Sequence, residues 1–187
     1  MRAVTRLFVA IDLPDDVKDL LEPLCRGVPG ARWTRDRQFH LTLRFIGEVD
    51  GGGAQDIDAS LAGVRAPGFS LSLGGVGHFG NGGNVRVIWA GVEKSPALRH
   101  LHDKIESAVV RAGLPPEGQK FNPHITLARP KSAPPTSKLQ EYLAYNNLFK
   151  TPPFEVTHFT LFQSFTGGEG SIYQAEHSYE LSRTQAS

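Results

Sequence analysis

The stretch "FHLTLRF", residues 39–45, alternates apolar and polar side chains without a break. Successive residues of a strand point to opposite faces. Phe39, Leu41, Leu43 and Phe45 are therefore expected in a core, with His40, Thr42 and Arg44 together on the other face. The order His-x-Thr-Leu returns at 124–127, inside "PHITLAR". Average residue usage gives roughly 0.03 chance occurrences of that tetrapeptide among the chain's histidines. Two copies point to selection or duplication.

The surroundings of the two copies repeat as well. Ahead of the first, "LFVAIDL" (7–13) reads as a buried strand. Pro14 with Asp15 and Asp16 then opens a helix that carries Val17, Leu20, Leu21 and Leu24 at helical spacing. After the first copy, the glycines at 51–53 suggest a flexible loop and residues 55–64 a short helix. "FSLSLGGV" (69–76) and "VRVIWAGV" (85–92) suggest a hairpin around "NGGN". Ahead of the second copy, Ser95 suits an N-cap, Pro96 the first helical position and Gly113 a stop. Between them Leu98, Leu101, Ile105, Ala108, Val109 and Ala112 share one face. A helix over 137–145 follows, then a hairpin of "FEVTHFTLFQS" (154–164) with "SIYQAEHSYEL" (171–181) around "TGGEG". From His40 to Phe69 is 29 positions, and from His124 to Phe154 is 30.

These patterns predict an α+β fold: one bilobed domain over residues 1–187, built by internal duplication. Two pseudo-symmetric antiparallel sheets flanked by helices would face each other across a central groove carrying the two His-x-Thr motifs. The chain has 187 residues, 40% of them hydrophobic and 21% charged, which is ample for such a core. A net charge of +1 argues against a protein held on nucleic acid by bulk charge. One cysteine, Cys25, excludes an internal disulfide and a cysteine-based zinc cluster. The early apolar run 7–11 is too short for a signal core or a membrane span. A cytoplasmic monomer away from membranes is expected.

The chemistry follows from the residue types. His and Thr two apart share a strand face, so duplication would converge two imidazoles and two hydroxyls on one groove. That set suits a phosphodiester. A neutral His40 or His124 takes a proton from the attacking oxygen while the other, charged, gives one to the leaving oxygen. Thr42 and Thr126 can donate hydrogen bonds to non-bridging phosphate oxygens. A duplicated pair of satisfied core histidines is the structural alternative.

The two motifs resemble those of the two-histidine (2H) phosphoesterases, and their surroundings narrow the resemblance to the RNA 2′,3′-cyclic phosphodiesterase, or 2′-5′ RNA ligase, family. The stretches that carry it are "RLFVAIDLP", "RW" followed by "HLTLRFIGEV", "VRVIWAGVE", "FNPHITLAR" and the last hairpin with Tyr173. The resemblance implies a bilobed α+β fold, no required metal or other cofactor, and opening of a 2′,3′-cyclic phosphate on RNA 3′ ends or small nucleotides to a 2′-phosphate. It implies that His40 is the acid toward the 3′ oxygen, His124 the base on water, and Arg129 a phosphate ligand. Strict alternation puts Arg129 on the face opposite His124, so a bend before Pro130 is needed to bring it round.

Other residues carry two readings each. Arg44 shares the His40 face by alternation, as a phosphate or RNA contact or as a solvated strand end. Trp33 stacks a base or packs at the lobe boundary. Arg32, Arg35 and Arg37 track an RNA backbone or form a solvated charge run. "GVGHFG" (75–80) matches a dinucleotide fingerprint but lacks the helix that motif requires, which leaves His78 in a loop. His100 is expected exposed, His102 partly buried, and no histidine has metal-ligand spacing. Two further activities fit the same residues: reversible 2′-5′ RNA joining, and non-catalytic nucleotide or RNA binding.

Overall fold

The computed structural model describes residues 3–167 and 170–183. In chain order the strands are β1 Val4–Asp12, β2 Ala31–Trp33, β3 His40–Asp50, β4 Phe69–Leu71, β5 Leu73–Phe79, β6 Val87–Val92, β7 His124–Pro130, β8 Phe154–Val156, β9 His158–Gly167 and β10 Gly170–Glu180. The α-helices are α1 Asp15–Leu21, α2 Gly51–Ala62, α3 Pro96–Arg111 and α4 Thr136–Asn146.

The fold is α+β and its described strand pairings are antiparallel apart from one isolated bridge. One sheet runs β10-β9-β1-β3-β7-β6-β5, with β2 also paired to β7, and a separate ribbon joins β4 to β8. The two His-x-Thr strands, β3 and β7, meet at the centre through a single register pair, Leu41 with Ile125. On one side stand β1 and β9, and on the other β6 and β5. The strand at 87–92 thus completes the His124 side, while the strand at 4–12 completes the His40 side. The first strand of each hairpin in the sequence reading is split in two. Phe69–Leu71 leaves to pair with Phe154–Val156, and only the following segments, β5 and β9, join the large sheet. Within the last turn, Gly168 and Glu169 lie outside the described residues.

One face of the sheet is packed against helices. Leu7, Val9, Ile11, Leu41, Leu43, Ile125 and Leu127 form a continuous core with Val17 and Leu21 of α1, Ile57 and Leu61 of α2, and Leu98, Leu101, Ile105 and Val109 of α3. Tyr142 and Leu139 of α4 close a second cluster with Val28, Val85, Ile88 and Ala128. Burying such side chains contributes about 1.5–3 kcal/mol each. The start of α3 is as expected, since the Ser95 hydroxyl accepts from Leu98 N–H at 3.1 Å. The glycines at 51–53 instead open α2. Asp50 caps that helix, accepting from Gly53 N–H at 2.7 Å, a gain that offsets the glycines' poor helix propensity. His78 stands in β5 rather than in a loop, opposite Ile88. No helix among the described residues is long and apolar enough to cross a membrane.

Candidate active site

The central register pair fixes which side chains look outward. Leu41 and Ile125 are fully buried toward the helices, so His40, Thr42, His124 and Thr126 point to the open face. Antiparallel pairing sets the residue before Leu41 across from the residue after Ile125. His40 is thereby across from Thr126, and Thr42 across from His124. The histidines are diagonal neighbours, a relation worth about 7–8 Å in regular sheet.

Beyond this point alternation fails, in the same way on both strands. In the β1–β3 ladder Val9 faces Arg44 and Ala10 faces Thr42, leaving Leu43 as an extra residue. In the β6–β7 ladder Ile88 faces Ala128 and Trp89 faces Thr126, leaving Leu127 extra. An extra residue of this kind turns two consecutive side chains to one face and re-aims everything after it. Both bulges fall at the third and fourth residues after a histidine.

Their consequences correct the sequence reading. Arg44 is not on the His40 face; it is turned to the helix side, where it is 9% exposed and its Nε donates to Glu106 Oε2 of α3 at 2.6 Å. It is a structural ion pair and not an RNA contact. Phe45, expected in the core, is on the open face and 59% exposed, with its ring 6.2 Å from that of Phe8. Arg129 occupies the position equivalent to Phe45. The bulge at Leu127–Ala128 carries it onto the face of His124 and Thr126, with no bend at Pro130 required.

Both imidazoles are held alike. His40 Nδ1 lies 3.0 Å from the carbonyl of Gln38, and His124 Nδ1 lies 2.8 Å from the carbonyl of Asn122. A carbonyl only accepts, so each Nδ1 carries its hydrogen, and Nε2 is left to gain or lose a proton. Burial lowers the pKa of both rings below the ordinary imidazole value. The hydrogen bonds to the Gln38 and Asn122 carbonyls oppose that lowering and the Arg129 charge adds to it at both rings; at His40 Asp12 also opposes it and Lys18 adds to it. Asp12 is the register partner of His40; the corresponding partner of His124 is Gly91. A Cβ at Gly91 would sit 2.3 Å from the Gly74 carbonyl oxygen, so that place cannot take an acid without backbone movement.

Aromatic rings wall in both histidines. His40 is 4.9 Å from Phe8, 5.0 Å from Tyr173 and 6.2 Å from Phe162 by ring centroids. His124 meets the edge of Phe79 at 4.9 Å. Trp33 is not among them: it packs toward the helices against Tyr142 of α4 at 5.8 Å. Arg37 belongs to the fold, pairing with Asp19 at 2.6 Å and Glu22 at 3.4 Å and donating to the Asp15 carbonyl.

Gln38 is the contact that sequence reasoning missed. Its carbonyl orients His40, and its side-chain oxygen accepts from Tyr173 N–H at 3.0 Å, tying β10 to the site. It ends a tight turn in which Asp36 and Arg37 both have positive φ, 52° and 54°. The available signal was the shared offset, since Gln38 and Asn122 each stand two residues before a motif histidine. Among the described residues, no three His, Cys, Asp or Glu side chains gather as a metal site.

An antiparallel sheet with two equivalently placed His-x-Thr strands on its open face is the arrangement of the two-histidine phosphoesterases. The chain belongs to the 2′-5′ RNA ligase superfamily, whose family model matches residues 4–167. It is 38% identical over 149 residues to the RNA 2′,3′-cyclic phosphodiesterase of Aeropyrum pernix, covering 79% of this chain and 84% of that one. To the protein of the same name from Thermotoga maritima it is 35% identical over 178 residues, covering 90% and 91%. Among solved structures it resembles E. coli LigT complexed with 3′-AMP, with a TM-score of 0.76 and 28% identity over 96% of this chain and 99% of that one.

Proposed function

We propose that this protein is a metal-independent RNA 2′,3′-cyclic phosphodiesterase that opens the cyclic phosphate to a 2′-phosphate by two-histidine general acid–base catalysis. One observation carries the reading. Two imidazoles share an open sheet face, and in each the Nδ1–H is engaged by a carbonyl so that Nε2 alone is available. Residues 1–187 act as one bilobed unit, with each half of a duplicated chain supplying one histidine. The relatives named for this reaction support the choice of substrate.

In the reaction, His124 accepts a proton from water as the water oxygen attacks phosphorus. His40 donates a proton to the departing 3′ oxygen, so the ring opens with the phosphate left on the 2′ oxygen. Asp12 supports that division, because a carboxylate beside His40 favours its charged form, partly offset by the Lys18 ammonium 3.3 Å from that carboxylate, and Gly91 offers His124 no carboxylate. Arg129 holds the non-bridging oxygens through its planar fork, and Thr42 and Thr126 donate to them as charge builds. The test is incubation with a 2′,3′-cyclic mononucleotide in excess EDTA, followed by chromatography. A nucleoside monophosphate formed at the same rate with and without EDTA supports the reading; no product, or product only after a divalent metal is added, overturns it.

The pH dependence has a definite sign. Productive enzyme has one charged and one neutral histidine, which is most populated between their two pKa values. Burial lowers both, so kcat/KM, which reports free enzyme, should peak on the acid side of about 6.5. Above the peak His40 loses its proton; below it His124 gains one. A bound phosphodiester anion favours imidazolium, so the optimum of kcat should lie at higher pH than that of kcat/KM. A flat kcat/KM profile, or a peak well on the alkaline side, would exclude the two-histidine scheme.

A further inference from the structure

We infer that Arg32 forms a second phosphate site, receiving the phosphodiester one nucleotide upstream of the cyclic end, so that the preferred substrate is an RNA strand and not a mononucleotide. The inference rests on the cyclic phosphodiesterase reading and extends it along the groove. β2 and β3 lie end to end along the same edge of β7. Ala31, Arg32 and Trp33 pair with Pro130, Arg129 and Ala128, Thr34 N–H donates to the Leu127 carbonyl at 2.8 Å, and Leu41 then pairs with Ile125. The turn at residues 35–38 loops out between them.

This register puts Arg32 directly across from Arg129. Trp33 faces the helices, so Arg32 faces outward, on the side to which the Leu127–Ala128 bulge turns Arg129. Both are exposed, and neither guanidinium has an ion-pair partner among the described residues. Like charges directly opposite in a sheet destabilise it, and an anion bound at each removes that cost. The Arg129 charge is felt at both histidines, whereas that of Arg32 is felt at neither. Arg129 therefore serves the reacting phosphate, and Arg32 the next one along.

The experiment compares a 2′,3′-cyclic mononucleotide, which has no upstream phosphate, with a tetranucleotide ending in a 2′,3′-cyclic phosphate. For Arg32→Gln, kcat/KM on the tetranucleotide should fall about ten- to a hundredfold, through KM, as expected for loss of a charged hydrogen bond. On the mononucleotide it should be unchanged. Arg32→Lys should recover much of the loss, and Arg32→Gln should reduce the slope of log affinity against log salt by about 0.7. Equal loss on both substrates would move Arg32 to the reacting phosphate and overturn the assignment; so would no loss on either. Binding of a labelled tetranucleotide 2′-phosphate, followed by anisotropy, separates the two readings. If wild type turns over neither substrate but Arg32→Gln still weakens binding, the enzyme reading fails and the phosphate site stands. If binding is also unchanged, both fail.

Discussion

Replacing His124 by alanine should lower kcat by about 10²–10⁴-fold, the usual worth of one positioned proton-transfer group. Replacing His40 should cost a similar factor. The two losses should differ in kind. His40 is assigned to the leaving oxygen, so a substrate whose leaving group departs without a proton bypasses it. A nucleoside phosphodiester with a p-nitrophenolate leaving group should recover much of its rate in His40→Ala and none in His124→Ala. Stability should move little in His124→Ala, whose ring sits on the open face. It should fall somewhat in His40→Ala, whose ring packs on Phe8 and Tyr173. Equal rescue of both variants would contradict the division of roles, and a His124→Ala enzyme near wild-type rate would contradict the mechanism.

The largest effect on folding is expected at Glu106. Arg44 is buried at the β3 bulge and donates to Glu106, to the Phe45 carbonyl at 2.7 Å and to the Pro115 carbonyl at 2.6 Å. Glu106 also accepts from Glu117 N–H at 2.9 Å. Glu106→Ala removes the counter-charge and leaves the guanidinium buried, a loss worth about 3 kcal/mol by denaturant unfolding. Replacing both partners with apolar residues, as in Arg44→Met with Glu106→Leu, should cost much less, because no buried charge is stranded. The pH dependence follows from the sign of the shift. Hydrogen bonds from Glu117 N–H and Arg44, with the Arg44 charge, hold the Glu106 carboxyl below its usual pKa against the opposing effect of burial. Its contribution is therefore present above about pH 4.3 and lost as pH falls through the folded value. The gap between wild type and Glu106→Gln should close in acid. Wild-type stability in Glu106→Ala at neutral pH would show that the pair does not anchor the bulge.

Much of this molecule was legible in its sequence. The repeated His-x-Thr-Leu, the Ser95–Pro96 helix start and the glycine-turned hairpins are local signals, and the fold class followed from their order. Non-local pairing decided the rest. Nothing in "TLRF" or "TLAR" announces a bulge; it exists because β1 and β6 supply one residue fewer than β3 and β7. Counting alternation therefore sent Arg44, Phe45 and Arg129 to the wrong faces, all for one reason. The run 69–76 looked continuous because its break after Leu71 is made by a distant strand, β8. Gly51–53 looked like a loop because glycine propensity was weighed without the cap that Asp50 provides. Arg37 looked like part of a basic track, yet its partners lie on α1 and the turn after it, far back in sequence.

Phosphorus NMR of the products from an RNA oligonucleotide bearing a terminal 2′,3′-cyclic phosphate tests the central claim most directly. With wild-type protein in excess EDTA, the cyclic resonance should give way to a single 2′-phosphate monoester. With His40→Ala or His124→Ala it should persist over the same interval. A 3′-phosphate product, or unchanged conversion by either variant, would contradict the assignment of His40 as acid and His124 as base.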